Sequence, residues 1–285
     1  MLSEQQFSQL SDLLKDETAV VLGNGKEYLV ESRLASLMRD EGYNSLSDMI
    51  DAVLRRSNPA LNQRVLLALT TNETSFFRDI GPFELLRSKL LPPMLAARSQ
   101  SRALTAWSAA CSTGQEPYSI AMMLCDSFPE VESWRLSILA SDLNPQVVER
   151  GRQGVYSVLE VNRGLPEKLK EKYFTKHGEL FTISERLRSM VRFFEQNLIS
   201  NWSVPQVDLL FMRNVLIYFD TETKRALFER IRGVLAPDGY LFLGTAESPY
   251  RIVEGFLKVE GAGNIYRLDP EYAGNRSVAR NKDTL

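Results

Sequence analysis

Residues 103–128 read ALTAWSAACSTGQEPYSIAMMLCDSF. The first eight, ALTAWSAA, form an uncharged apolar run of strand length. A short polar loop follows, and EPYSIAMMLCDSF (116–128) reads as a helix. The same alternation then recurs. RLSILASDL (135–143) reads as a strand and PQVVERGRQG opens a helix. VDLLFMRN (207–214) is a strand, TETKRALFERIRGVL a helix and YLFLGT (240–245) a strand. Strands alternating with helices imply βαβ units on a mainly parallel sheet, and right-handed crossovers make it an α/β doubly wound fold of Rossmann-like type. GFLKVEGAGNIYRL (255–268) reads as two strands around a Gly-rich turn, an antiparallel hairpin at the sheet edge.

Outside this region the texture differs. Residues 1 to about 72 read as helices only, near 3–16, 26–41, 46–57 and 60–70. Val30, Leu34, Leu37 and Met38 fall on one face of the second. Ser45 or Ser47 is the candidate cap of the third. The segment 169–197 carries short alternating runs around His177-Gly178, a candidate small antiparallel β-excursion. The expected organisation is a helical domain over 1–75 and an α/β domain over 76–271. The latter holds a β-subdomain inserted at about 169–196, and a polar tail over 272–285 is expected to be disordered.

Composition excludes several classes. The chain has 285 residues, 44% hydrophobic and 25% charged, with a net charge of −2. That balance lacks the basic field of a nucleic-acid binder. Two cysteines, Cys111 and Cys125, make no disulfide framework, and one histidine, His177, supplies neither a zinc site nor a Ser-His-Asp triad. The first residues, MLSEQQFSQLSDLLKD, do not read as a signal peptide, and no run is long and apolar enough to span a membrane. The expectation is a cytoplasmic monomer with no metal, no nucleic-acid partner and no membrane insertion.

In doubly wound folds, ligands bind beyond the carboxyl ends of the strands. Ala110–Glu116, Asp142, Asn144, Asn197, Leu198, Arg213 and Asn214 would stand there. The first loop has a single glycine, Gly114, and lacks G-x-G-x-x-G, the arrangement that brings backbone against a pyrophosphate. A ligand with an adenosine but no phosphate needs no such cradle, and S-adenosylmethionine (SAM) is one. Asp142 would accept from the ribose hydroxyls, Glu116 from the ammonium, and Asn197 would read the adenine edge. Blander roles exist for each. Asp142 and Asn144 suit a helix cap, Glu116 a first-turn acid, and Arg213 a surface ion pair. Fold logic alone reaches a SAM-type or nucleotide-binding α/β enzyme. Leu235-x-Pro237-x-Gly239-x-Leu241, between a helix and a strand, resembles a turn found late in SAM-dependent methyltransferases.

Between the two regions lies TTNETSFFRD (70–79), which has more aromatic and charged chemistry than a linker needs. Taken singly, it suits a capping box from Thr70 to Glu73 with two core phenylalanines. Taken in order with WSAACSTGQEPYSIAM, ASDLNPQVVERGRQGVY, FFEQNL and FMRNVLIYFD, it resembles the bacterial chemotaxis receptor methyltransferases, the CheR family. The resemblance covers about residues 3–268.

The resemblance implies a SAM-dependent protein-glutamate O-methyltransferase acting on the cytoplasmic helices of chemoreceptors. It implies cofactor contacts at Asn72, Thr74, Arg78, Glu116, Asp142, Asn197, Leu198, Arg213 and Asn214. It sets Arg78 and Tyr218 next to the transferred methyl. It also implies receptor docking by a basic face of an N-terminal helix, with Lys26, Arg33 and Arg39 as candidates. Residues 1–80 hold 8 Lys and Arg against 12 Asp and Glu, so any such face is local. Some members dock a receptor C-terminal peptide on the β-subdomain by strand addition. Their subdomain tip is longer than Thr175–Glu179 here, so recognition without a tether is expected. Two rival readings are a small-molecule or RNA methyltransferase and a SAM-binding regulatory module without turnover.

Overall fold

The computed structural model describes residues 2–23, 25–261 and 263–272. The tail expected to be disordered lies, beyond Tyr272, outside the described residues. The chain divides into two compact units, Met1–Asn72 with Tyr218–Lys224, and Glu73–Ile217 with Arg225–Leu285.

The first unit is built on four helices, α1 (Glu4–Thr18), α2 (Glu27–Asp40), α3 (Leu46–Leu54) and α4 (Pro59–Leu69). Their starts follow from local chemistry. Ser3 and Gln6 form a reciprocal capping box on α1, Ser45 caps α3, and Asn58 caps α4 ahead of Pro59. Of the two serines considered for α3, Ser45 is the cap. Leu10, Leu14, Val30, Leu34, Met49, Ile50, Val53 and Val65 close a core of their own. Met38 is only half-buried beside it. Within this unit Val21 N–H donates to the Tyr218 carbonyl (2.8 Å), and Lys15 pairs with Asp220 at 2.9 Å.

The second unit begins with α5 (Gly81–Leu85), a π-helical turn, and α6 (Leu91–Ala97). Next come β1 (Ala103–Ala109), α7 (Gln115–Ser127), β2 (Arg135–Asp142), α8 (Pro145–Gln153), β3 (Val155–Ser157), α9 (Val158–Val161) and α10 (Glu167–Tyr173). These are followed by β4 (Phe174–His177), β5 (Leu180–Ile183), α11 (Glu185–Met190), β6 (Val191–Glu195), β7 (Val207–Met212) and α12 (Thr221–Val234), whose first residues, through Lys224, are counted with the first unit. The chain closes with β8 (Leu235–Leu243), β9 (Phe256–Lys258) and β10 (Ile265–Leu268). The large sheet runs β6-β2-β1-β7-β8-β10-β9. Its first five strands are parallel, while β10 is antiparallel to β8 and β9 to β10. The central strands are apolar along their length because helices cover both faces of such a sheet.

Three details differ from the sequence reading. The small sheet, β3-β5-β4, recruits Val155–Ser157, well before residue 169, while residues 191–195 pair with β2 in the large sheet. The last strand of the parallel set starts at Leu235 rather than Tyr240, with a bulge over the Pro-Asp-Gly turn opposite Val207–Leu209. A Cβ on Gly239 would lie 2.8 Å from the Asp208 carbonyl, so glycine is needed at that close approach. Thr70 ends α4 and donates its hydroxyl to the Leu67 carbonyl, so it opens no capping box.

Candidate functional site

Strand order reverses at β1, whose neighbours are β2 and β7. The crevice beyond its carboxyl end is the topological switch point of this fold. The backbone there is under unusual constraint. Nine described non-glycine residues have left-handed φ, and five of them cluster on these segments: Phe77 (46°), Asp79 (53°), Ala110 (62°), Ser112 (50°) and Asn214 (59°). Each such conformation costs about 1–3 kcal/mol and persists only where its surroundings over-determine it.

Arg213, just past β7, organises the site. Its side chain is 2% exposed. Nη1 donates to Glu116 Oε2 (3.1 Å), and Nη2 donates to Asp79 Oδ2 (2.9 Å) and to the Arg78 carbonyl (2.9 Å). Glu116, in the first turn of α7, accepts from Ser108 Oγ at 2.7 Å on its other oxygen. Arg213 is therefore no surface pair, and Glu116 does more than favour its helix dipole. Among the described residues, Arg213 Nε is a buried donor with no acceptor.

Asp142 ends β2 and is 8% exposed. Its oxygens accept one N–H each, from Ser112 (2.8 Å) and Asn144 (3.0 Å), and burial raises its carboxyl above the usual range. Asn144, not Asp142, caps α8 by accepting from Gln146 N–H. Tyr156 of the small sheet donates to the Thr113 carbonyl (2.8 Å) and so fixes the loop after β1 from behind. Asn197 Oδ1 accepts from Ile199 N–H (3.2 Å), which shapes the loop after β6. Buried Leu198 presents its carbonyl to Trp202 Nε1 (2.9 Å) and Arg230 Nη1 (3.0 Å).

The TTNETSFFRD stretch is held by its aromatics. Phe76 is fully buried edge-on to Tyr156 and Phe174, with centroids 5.1 and 5.6 Å away. Phe77 N–H donates to Ser119 Oγ at 2.9 Å. A Cβ on Gly164 (φ 86°) would lie 2.2 Å from the Phe76 carbonyl, so only glycine lets the two segments meet. Glu73 pairs with Arg163 at 2.5 Å, and that guanidinium lowers its carboxyl pKa. These contacts carry Thr74, Arg78 and Asp79 with them. Arg78 Nη1 donates to the Glu73 carbonyl at 3.0 Å.

Of the expected residues, Arg78, Glu116 and Arg213 are thus joined in one network. Asp142, Asn197–Leu198 and Asn214 stand at neighbouring strand ends of the same sheet. Asn72 and Tyr218 belong to the helical unit. Three residues escaped the sequence reading. Asp79 completes the Arg213 pairing, and its only signal was its place in the quoted stretch. Ser108 orients Glu116 and is indistinguishable in sequence from other strand serines. Glu247, after β8, is 4% exposed and accepts from Asn214 N–H at 2.9 Å, a link that no local pattern announces.

These residues fit SAM. Two carboxylates with unspent lone pairs suit a diol and an ammonium, and a buried arginine N–H suits an anionic group. Residues 5–70 match the family described as "CheR methyltransferase, all-alpha domain", and residues 72–262 match "CheR methyltransferase, SAM binding domain". The chain is 39% identical over 268 residues to chemotaxis protein methyltransferase 1 of Pseudomonas aeruginosa, covering 92% of this chain and 97% of that one. It is 37% identical over 268 residues to chemotaxis protein methyltransferase Cher2 of Pseudomonas putida, again covering 92% and 97%. The chemotaxis protein methyltransferase of Vibrio parahaemolyticus is 37% identical over 272 residues, covering 94% and 98%. The buried charge cluster at the switch point, the helical domain before it and these relatives agree: this chain belongs to the CheR methyltransferase family and is a SAM-dependent methyltransferase of chemotaxis.

Proposed function

We propose that this chain methylates glutamate side-chain carboxylates on the cytoplasmic helices of chemoreceptors, with SAM as methyl donor. The observation that carries the reading is the buried Arg213–Glu116 pair set beside Asp142 at the switch point, with hydrogen-bonding capacity left over. A glutamate is already ionised at neutral pH, so the site needs no general base, and the chain's single histidine is no obstacle. When bound, the cofactor's sulfonium supplies an electrophilic methyl and departs as a neutral thioether. The protein's task is alignment, which is worth up to about 7–11 kcal/mol.

The roles follow from chemistry. Asp142 and Glu116 accept from the cofactor's ribose and ammonium. Asn72, Thr74, Asn197, Leu198, Arg213 and Asn214 shape the rest of its pocket. Arg78, with one N–H given to the Glu73 carbonyl, uses its remaining donors to orient the incoming carboxylate. Tyr218 steers the same carboxylate with its hydroxyl. Receptor docking falls to exposed Lys26 and Arg39 more than to Arg33, because Arg33 donates to the Leu69 carbonyl and to Thr71 Oγ1. The small-sheet turn is only Gly178-Glu179, which favours recognition without a C-terminal peptide tether. The enzyme works as a cytoplasmic monomer. Among the described residues no helix is long and apolar enough to cross a membrane.

The test supplies methyl-labelled SAM, the purified chain and receptor cytoplasmic fragments. Alkali-labile label on the receptor, lost when the receptor's glutamates are replaced by alanine, is the expected result, because esters hydrolyse in base and N-methyl groups do not. Alkali-stable label, or none with several receptors while SAM still binds, refutes it. Calorimetry with receptor C-terminal pentapeptides should register no binding, and tight binding would refute the tether-free part.

A further inference from the structure

We infer that Glu247 is a positioning residue for methyl transfer: it fixes the backbone of residues 214–217, which follow Arg213 and lead to Tyr218. The inference rests on the site reading above and deepens it. Glu247 is a buried carboxylate that forms no ion pair among the described residues. It is satisfied by backbone. Oε2 accepts from Gly244 N–H (2.5 Å) and Asn214 N–H (2.9 Å), and Oε1 accepts from Ile217 N–H (3.3 Å). One side chain thereby ties the loop after β8 to both ends of a four-residue segment beyond β7. Asn214 has a φ of 59°, a conformation that its surroundings must hold in place. No side chain fits at Gly244, where a Cβ would lie 2.7 Å from Glu247 Oε2 and 2.8 Å from Asn214 N.

Glu247 is itself held. Asn264, just before β10, donates through Nδ2 to the carbonyls of Gly244 (2.8 Å), Thr245 (2.9 Å) and Glu247 (2.8 Å). Leu243 N–H in turn donates to the Asn264 carbonyl at 2.9 Å. The order of support therefore runs from the antiparallel edge of the sheet, through Asn264, to Glu247, to the segment beside Arg213. A carboxylate is the right group for the middle link. Hydrogen bonds to an ionised acceptor are stronger than neutral ones, and both oxygens are used. A glutamine would present its amide N–H groups to a backbone N–H on one side, donor against donor.

The experiment uses the full chain and compares Glu247→Gln, Asn264→Ala, Arg213→Ala and Arg98→Ala. Arg98 lies at the opposite end of the sheet, in a clamp with Asp208 and Asp238 that touches nothing in the site. Each variant is measured for kcat and KM with a receptor fragment, for SAM affinity by calorimetry and for melting temperature. Glu247→Gln should lower kcat on the order of a hundredfold, the scale of a misplaced reacting group, with KM for the receptor fragment unchanged. Asn264→Ala should move kcat in the same direction by less. Arg98→Ala should lower the melting temperature and keep kcat. The inference is overturned if folded Glu247→Gln keeps kcat within about twofold, or if Arg98→Ala loses kcat in equal measure. Should Glu247→Gln not fold, Asn264→Ala with unchanged kcat overturns it just as well. Undiminished SAM affinity in Arg213→Ala would sink the site reading itself. Lost affinity there, with Glu247→Gln fully active, would sink only this inference.

Discussion

The two ends of the large sheet solve the same problem in opposite ways. Each sets an arginine between two carboxylates. At the amino ends of the strands, Arg98 donates from Nε and Nη2 to Asp208 Oδ1 (3.2 and 2.6 Å). Its Nη1 and Nη2 also reach Asp238, both at 2.8 Å. Asp208 spends its second oxygen on Thr105 N–H at 2.7 Å. Every arm of that guanidinium is used, and the pairing lowers the Asp238 carboxyl pKa. At the carboxyl ends, Arg213 holds Glu116 and Asp79 but leaves Nε without an acceptor among the described residues, amid backbone in left-handed conformations. A closed network is a structural stitch. An open one, under backbone strain, is the arrangement that the proposed cofactor would complete.

The sharpest way to break this comparison is to delete each arginine in turn. Arg213→Ala should lower methyl transfer on the order of a hundredfold or more, because it removes a residue of the proposed cofactor pocket and strands the Glu116 and Asp79 carboxylates. SAM affinity, read by calorimetry, should fall with it. Arg98→Ala should cost about 1–2 kcal/mol of stability in denaturant unfolding, between an exposed and a buried pair, because Arg98 is half-buried and Asp238 is 61% exposed. Its kcat, measured well below the melting point, should stay at the wild-type value. If Arg98→Ala instead lost activity while folded, the division of labour between the two ends would be wrong.

The same comparison explains what was legible in the sequence. Parallel strands covered on both faces announce themselves as apolar runs, so β1, β2 and β7 were read within two residues of their observed ends. The helical unit was equally plain, because caps such as Ser45 and the spacing of Val30, Leu34 and Leu37 are local signals. The three-residue strand Val155–Ser157 was not, since it is too short to show alternation and exists only because β5 pairs with it. Asp142 and Glu116 were readable from their place after a strand. Asp79 and Glu247 were not, because their partners lie 134 and 33 residues away in sequence. Arg33 is a candidate for the basic docking face that the resemblance implies, yet its guanidinium reaches the carboxyl end of α4. Composition cannot reveal that a charge is already committed.

The smallest expected effect concerns pH and tests whether Asp142 belongs to the open end. Burial raises its carboxyl above the ordinary 3.8, despite three backbone hydrogen bonds that pull it down. As an ionised group it can accept from the backbone N–H groups around it and still from a ligand's hydroxyls. Protonation turns one acceptor oxygen into a donor. SAM affinity should therefore fall as pH drops through the raised value, by about tenfold for each unit below it. That loss should begin at a higher pH than an ordinary carboxylate would give. The stability of the ligand-free protein should respond through this group in the opposite sense. Its folded form binds the proton more tightly than the unfolded chain, so acidification through that window relieves a penalty that is fully present at neutral pH. Calorimetric affinity and thermal unfolding across the same acidic series separate the two. In Asp142→Asn, both pH dependences should flatten, with affinity low throughout. A wild-type affinity that is flat down to the ordinary carboxylate range would mean that Asp142 only braces the loop at Ser112, and the open end of the sheet would then rest on Arg213 and Glu116 alone.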